Sequence, residues 1–546
     1  MRRKSLSTGL LILLVIGSLL VGYVQLTGQD PYRLIRENLS DFGEVYKQIA
    51  NSYVREVDPE SLMVAGIKGM VSQLDPYSSF FKKRQIDQLR IETTGRYGGL
   101  GISIAIKDDY PTVIAPFEGT PAEKVGLQAG DRIIRIEGKS TKGEPIEDVA
   151  EKLRGEPETT VTITILREGL DEPIDYTITR EIIELRAVSY SDEVADGIGY
   201  IRLSRFSEGA GEEIEEALRG LKEKGIKGII LDLRGNPGGL LTEAVSVADR
   251  FLKRGRVIVF TKGRIEGQNR KYYSEKDPII PEEIPMVVLV DGASASASEI
   301  VAGAIQESDR GLIVGTPTFG KGCVQTVIAL SETSALKLTT AYYYTPSGRC
   351  INKEDHGQDK SQVFRTAGGR IIYGGGGITP DVEVKAWELN NLIVELLRKR
   401  MFFSFAVHYA ALHPNIGRDF DVNYQVLSEF RSFLKEKGFD YKMEGESYLD
   451  SLESIVRQEN YGQQVETTLQ KLREELWEKK EEDFQRNEDF IRMAIRREVA
   501  SRLWGQRARI EAGFPEDAQL HQAIEILKDP GRYAQEMGLV ARSDGD

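Results

Sequence analysis

The sequence predicts a multidomain α/β protein. An α/β core carries an inserted β-rich module, helical regions lie at both ends, and one apolar helix stands at the N-terminus. Three observations lead there. The 546 residues exceed what one hydrophobic core organises and suggest about three or four units. Between about 96 and 180 short strands alternate with glycine-bearing turns, the texture of a small β module. From about 185 to 387 strands and amphipathic helices alternate, the order of a largely parallel sheet.

Composition narrows the function classes. Hydrophobic residues at 40% and charged residues at 29% exclude wholesale disorder and a multi-spanning membrane protein. A net charge of −13 argues against a nucleic-acid partner, whose phosphates need a basic face. Two cysteines and four histidines leave little material for a zinc site or a histidine-based triad. No metal or organic cofactor is expected, and Cys323 and Cys350 are not expected to pair.

Taken in order, residues 1–30 open with Arg2, Arg3 and Lys4 and continue into an apolar run through Leu26. About 18 apolar positions make roughly 27 Å of helix, enough to span a slightly thinned bilayer. No small-residue cleavage triplet follows, so the segment reads as a signal-anchor, with a cleaved signal as the alternative. Either way the positive-inside rule places the rest of the chain outside the cytoplasm. Residues 31–90 carry helical spacing. Asp58 ahead of Pro59-Glu60-Ser61 is a cap and first turn, and Asp75-Pro76-Tyr77-Ser78 is a turn.

Residues 91–180 hold the strands GLGISIAI, PTVIAPF, DRIIRIEG, TVTITILREG and PIDYTITR, with helices at Ala122–Val125 and Ile146–Leu153. Residues 181–387 hold the α/β alternation, to which VQTVIAL and ALKLTTAYYY, joined by SETS, add a hairpin. Residues 388–546 are helical and charged. Leu469, Leu472 and Leu476 recur at helical spacing, and the charges of 473–488 form a solvated face.

Four motifs carry chemistry. In GGLGISI, Gly98, Gly99, Leu100 and Gly101 let backbone N–H groups converge on an anion. The strand beyond, with Ile102 and Ile104 on one face, can accept an extended peptide; a plain hairpin turn is the alternative. In DGASASASEI, Ser294, Ser296 and Ser298 stand where a strand turns into a helix, beside unpaired helix amides. Residue chemistry does not choose a nucleophile among them, and one must serve as N-cap, with Ser298 favoured. In GTPTFGKGCVQ, Lys321 lies between two glycines whose close packing would strip water from it and make its amine a base. If 321–325 is extended, Lys321, Cys323 and Gln325 share a face. The glycines of LDLRGNPGG can present amides to an oxyanion, but the motif lacks the features of a nucleotide loop.

The stretch PAEKVGLQAGDRIIRIEG, at this distance behind GLGI, resembles the core signature of PDZ domains. The whole order, a helical lead, this module, then DLRGNPGG, SASASEI, FGKGCVQ, YYYTPSGR and GGGITPDV, resembles the carboxyl-terminal processing proteases from about residue 38 to 385. That family consists of serine peptidases with a Ser–Lys dyad. The resemblance implies Ser296 as nucleophile, Lys321 as base and Gln325 as the residue orienting it. It implies oxyanion amides at Ala297 and at Gly238 or Gly239. It further implies capture of a substrate's C-terminal carboxylate by the amides around Gly99, Leu100 and Gly101, with an apolar side chain beside Ile102 and Ile104.

The expected function is an exported, membrane-anchored serine endopeptidase that recognises apolar C-terminal tails of proteins or peptides. An adaptor protein and a homodimer or larger assembly are expected partners. The alternative is a catalytically silent peptide-binding scaffold at the membrane.

Overall fold

A computed structural model of the chain describes residues 31–353 and 362–539. The apolar segment expected to act as a signal-anchor lies outside the described residues. Among the described residues no helix is long and apolar enough to cross a membrane.

The chain forms two compact units. The first comprises residues 31–83 with 325–339. Its helices are Pro31–Ser52 and Pro59–Val71. The Asp58 carboxylate accepts the Glu60 and Ser61 N–H groups at 3.3 and 3.0 Å, so the D-P-E-S signal starts the second helix as its chemistry predicts. Asp75 likewise accepts the Tyr77 and Ser78 N–H groups at 2.8 and 2.7 Å and closes the D-P-Y-S turn. That turn delivers the strand Ser79–Lys82, which pairs antiparallel with Ser334–Lys337.

The second unit is built on a six-stranded sheet in the order 188–195, 198–203, 228–232, 286–290, 312–315, 382–383. The first two strands form an antiparallel hairpin, and every later pairing is parallel. Gly228–Asp232, Met286–Val290 and Leu312–Gly315 are buried along their whole length. Such unbroken apolar runs arise because both faces are covered. Helices Ala210–Glu223, Leu241–Asp249 and Ala297–Glu307 cover one face. The other is covered from the far end of the chain: Leu520, Ala523, Ile526 and Leu527 of helix Ala518–Lys528 pack on Ile230, Val287, Leu289 and Val314. The C-terminal region therefore supplies a layer of the core.

The β module occurs where its strands were expected, with the sheet order 102–107, 110–116, 132–136, 160–166, 174–179. Ile102–Lys107 is the outermost strand of that sheet. Strands Arg96–Gly99 and Glu181–Glu184, entering and leaving the module, pair with each other. Helices Asn391–Arg398, Met401–Leu412, Tyr424–Glu436 and Glu488–Glu511 pack around Phe402, Phe405, Phe430 and Phe433. Arg400, at φ +52°, separates the helices Asn391–Arg398 and Met401–Leu412. This bundle holds the module through Phe403 and Val407 against Ala129, and through Arg502, which donates to Gln128 Oε1 at 2.7 Å.

The hairpin of Cys323–Ser331 and Ser334–Tyr344 forms, but it does not extend the parallel sheet. Instead, Ala341–Tyr344 pairs antiparallel with Phe260–Gly263 in a separate sheet.

Candidate active site

Three of the four motifs, LDLRGNPGG, DGASASASEI and GTPTFGKGCVQ, lie on loops that leave the C-terminal ends of three adjacent parallel strands, after Asp232, Val290 and Gly315. In open parallel sheets this edge is where ligands bind.

The structure separates the three serines. Ser294 and Ser298 are 0% exposed. Ser294 Oγ donates to the Leu233 carbonyl at 2.8 Å and accepts the Asp291 N–H at 2.9 Å. Ser298 Oγ donates to the Asn236 carbonyl at 2.9 Å. Both hydroxyls are committed to holding loops together. Ser296 is only half-buried and adopts φ +57°, ψ −110°, a conformation costing a non-glycine residue on the order of 1–3 kcal/mol. It also occupies the N-cap position of Ala297–Glu307. The expectation that Ser298 is the cap is thereby corrected: Ser298 lies inside the first turn.

Glu299 ties the serine turn to the lysine loop. It is buried, at 0% exposure. Its Oε2 accepts the Ser296 N–H at 2.8 Å and the Lys321 N–H at 2.9 Å. Its Oε1 accepts the Thr318 hydroxyl at 2.6 Å and the Gly320 N–H at 2.7 Å. Burial pushes the carboxyl above its usual range, while these four donors pull the other way. One carboxylate oxygen thus gathers the backbone of Ser296 and Lys321, 25 positions apart in sequence. The S-x-x-E spacing of a capping box was the available signal for Glu299.

Glu299→Gln is expected to be damaging, because whichever way the amide turns, its NH2 faces two donors. Each orphaned donor costs roughly 1–3 kcal/mol. The check is the cleavage rate well below the melting temperature, together with that temperature. An unchanged rate would show that the clamp is dispensable.

Tyr343, which no sequence signal marked, donates its hydroxyl to the Lys321 carbonyl. Burial first, and then the Glu299 charge, pushes its phenol well above the usual range, with the Ser296 hydroxyl beside it acting oppositely.

The loop of LDLRGNPGG is moulded to the serine turn. Gly238 has φ +100°, and a Cβ there would meet the Ala295 carbonyl oxygen at 2.7 Å and Ser296 Cβ at 2.9 Å. Only glycine fits such an approach. The Gly238 N–H donates to Asn236 Oδ1 at 2.9 Å. The Ala297 and Gly239 amides have no such protein partner among the described residues. At the root of the loop, burial alone would raise the Asp232 carboxyl, but the Arg234 guanidinium, Arg202 and Tyr200 hold it at about 2.

Lys321 lies in the loop ahead of the strand Cys323–Ser331, so the extended run begins two residues later than a shared Lys321–Cys323–Gln325 face requires. Gln325 is half-buried at the third position of that strand, within the first compact unit. Cys323 and Cys350 are both buried thiols.

In the β module, Gly98 and Gly99 are strand residues opposite Ile182 and Glu181, which leaves Leu100 and Gly101 as the turn. Their carbonyls accept the Ala122 and Phe117 N–H groups at 3.0 and 2.8 Å. Ile102 and Ile104 pack half-buried against the module's core. Helix Ile146–Leu153 runs beside their strand.

The chain is similar to known proteins. Residues 197–384 match peptidase family S41 and residues 112–167 a PDZ domain. Residues 392–527 match the C-terminal helical domain of probable PDZ-proteases, and residues 24–85 the N-terminal domain of the activating protease CtpB. The carboxy-terminal-processing protease of Bartonella bacilliformis is 40% identical over 361 residues, 65% of this chain and 76% of that one. The carboxy-terminal processing protease CtpA of Bacillus subtilis is 34% identical over 336 residues, 61% and 71% of the two chains. Among solved structures, a photosystem II D1 C-terminal processing protease is 29% identical at a TM-score of 0.36, covering 63% of this chain and 92% of its own.

Proposed function

This chain belongs to the carboxy-terminal processing proteases, the PDZ-containing serine peptidases of family S41, and from that premise we propose that Ser296 is its nucleophile, Lys321 its general base and Gln325 the residue that orients the base. The observation that carries the assignment is the contrast among the three serines. Only Ser296 is both accessible and held in a strained turn, and its backbone shares a carboxylate oxygen with that of Lys321.

In this mechanism the Lys321 amine takes the Ser296 hydroxyl proton as Oγ attacks the scissile carbonyl, then returns a proton to the leaving amine. Water hydrolyses the acyl-enzyme by the same route in reverse. The oxyanion is received by the Ala297 N–H and an amide of the Gly238–Gly239 pair. Gly239 is favoured because the Gly238 N–H is already donated. Such donors are worth about 10²–10³ in rate each.

A substrate's tail enters the PDZ domain as an added strand along the outermost strand Ile102–Lys107. Its carboxylate meets the Leu100 and Gly101 amides, with Gly98 and Gly99 shaping the approach, and an apolar last side chain lies beside Ile102 and Ile104. Burying that side chain contributes about 1.5–3 kcal/mol, so a lone tail binds weakly and an adaptor or a second copy of the enzyme would raise its local concentration. The basic and apolar N-terminal residues support export with retention in the membrane, the catalytic part lying outside the cytoplasm.

The test compares cleavage of one substrate ending in an apolar free carboxylate, the same chain amidated, and the same chain ending in Asp-Asp. The first is expected to be cleaved fastest, because an amide cannot replace the charge-assisted bonds of a carboxylate. Equal rates for all three would remove the tail-reading role.

A further inference from the structure

We infer that Asp517, nearly two hundred residues beyond the nearest motif of the site, is a positioning residue for catalysis that acts through Arg234 on the loop framing Ser296. The inference rests on the reading of Ser296 as nucleophile.

Asp517 immediately precedes the helix Ala518–Lys528. Its carboxylate meets the Arg234 guanidinium with two bonds, Nη1 to Oδ1 at 2.8 Å and Nη2 to Oδ2 at 2.7 Å. Gln519 Oε1 accepts a third from Nη1 at 3.0 Å. On its opposite side Arg234 holds Asp232, Nε to Oδ1 at 3.0 Å and Nη2 to Oδ2 at 2.7 Å. The Arg234 side chain is 13% exposed, Asp232 0% and Asp517 20%, so this is a cation clasped between two carboxylates and largely shielded from water. Planar, two-pronged pairing of this kind fixes orientation as well as charge.

The clasp lies two residues from the contacts that shape the serine turn. Gly235 N–H donates to Asp291 Oδ1 at 3.0 Å. The Asn236 carbonyl receives the Ala295 N–H at 3.0 Å and the Ser298 hydroxyl at 2.9 Å, on either side of Ser296. Asn236 Oδ1 receives the Gly238 N–H. A shift of Arg234 is therefore passed to both flanks of the nucleophile and to the glycine pair beside it. Removing one carboxylate leaves a buried guanidinium with half its counter-charge, an arrangement that must move or admit water. The C-terminal region on this account is part of the catalytic unit and sets the geometry of the reacting groups.

Asp517→Asn tests this in the full-length chain. Asparagine still caps the helix, where Oδ1 accepts the Leu520 N–H at 3.0 Å, since Asn and Asp are equivalent N-caps. What it loses is the charge facing Arg234. The measurements are kcat and KM for a peptide substrate, the melting temperature, and the rate at which a fluorophosphonate probe labels Ser296. The expected result is a kcat lowered about tenfold or more with KM within about twofold, and labelling slowed in proportion. Asp517→Glu, which keeps the charge one methylene away, is expected to recover part of that loss and to stay folded if the asparagine variant does not.

Unchanged kcat and labelling in folded Asp517→Asn, or wild-type kcat in Asp517→Glu when only that variant folds, would overturn the inference. A raised KM at constant kcat would overturn it too, making Asp517 a binding group. A parent enzyme that cleaves substrate while Ser296 is never labelled would instead overturn the nucleophile assignment.

Discussion

Ser296→Ala is expected to abolish peptide-bond cleavage, while Ser294→Ala and Ser298→Ala remain active but less stable. In the proposed mechanism the serine hydroxyl is the group that attacks, and alanine offers none, so only the residual rate that binding and the oxyanion donors provide would survive. The neighbours fail differently. Alanine at 294 strands the Leu233 carbonyl and the Asp291 N–H, and alanine at 298 strands a bond to the Asn236 carbonyl. Each loss is worth roughly 1–3 kcal/mol of folding stability, which melting temperatures would register. Product analysis by mass spectrometry checks the chemistry. Full activity in Ser296→Ala, or dead but stably folded Ser294→Ala, would move the nucleophile elsewhere.

Lys321→Arg and Lys321→Ala are both expected to be inactive. Arginine keeps the charge and nearly the length, but it does not deprotonate in proteins and cannot take the serine proton. The backbone clamp is untouched, because the contacts to Glu299 and Tyr343 use the Lys321 N–H and carbonyl. Loss of activity with unchanged stability is therefore the signature of a lost base. Single-turnover cleavage by Lys321→Arg at a rate near that of the parent would reduce the lysine to a positioning role. Gln325→Ala is expected to fall between, since in the proposed mechanism it orients the base and transfers no proton.

Asp232 adds a pH dependence. Its folded carboxyl is held at about 2, below the unfolded value of about 3.9. Its contribution to stability is therefore complete above the unfolded value and lost as pH falls through the folded one. Acid unfolding followed by circular dichroism between about pH 4 and 2 reads this directly.

Much of this protein was determined by local sequence. Chain segments whose periodicity and turn chemistry agree, such as the module strands 102–179 and the caps at Asp58 and Asp75, form where their residues dictate. The order of glycine, serine and lysine motifs was enough to mark the family by resemblance. Sequence alone left the three serines equal, since N-cap, buried strut and nucleophile all suit a serine. Burial and backbone angle set Ser296 apart from its neighbours, and both are properties of what packs around the turn. Neither the helix break at Arg400 nor the start of the strand at Cys323 was legible in local sequence. Least legible were the long-range partners. Glu299 joins two loops, Tyr343 reaches back to the Lys321 carbonyl, and Asp517 reaches Arg234 across 283 positions. A charged residue on a charged helix reads as solvated until a folded neighbour removes the water, and only the tertiary structure shows which carboxylates have lost theirs.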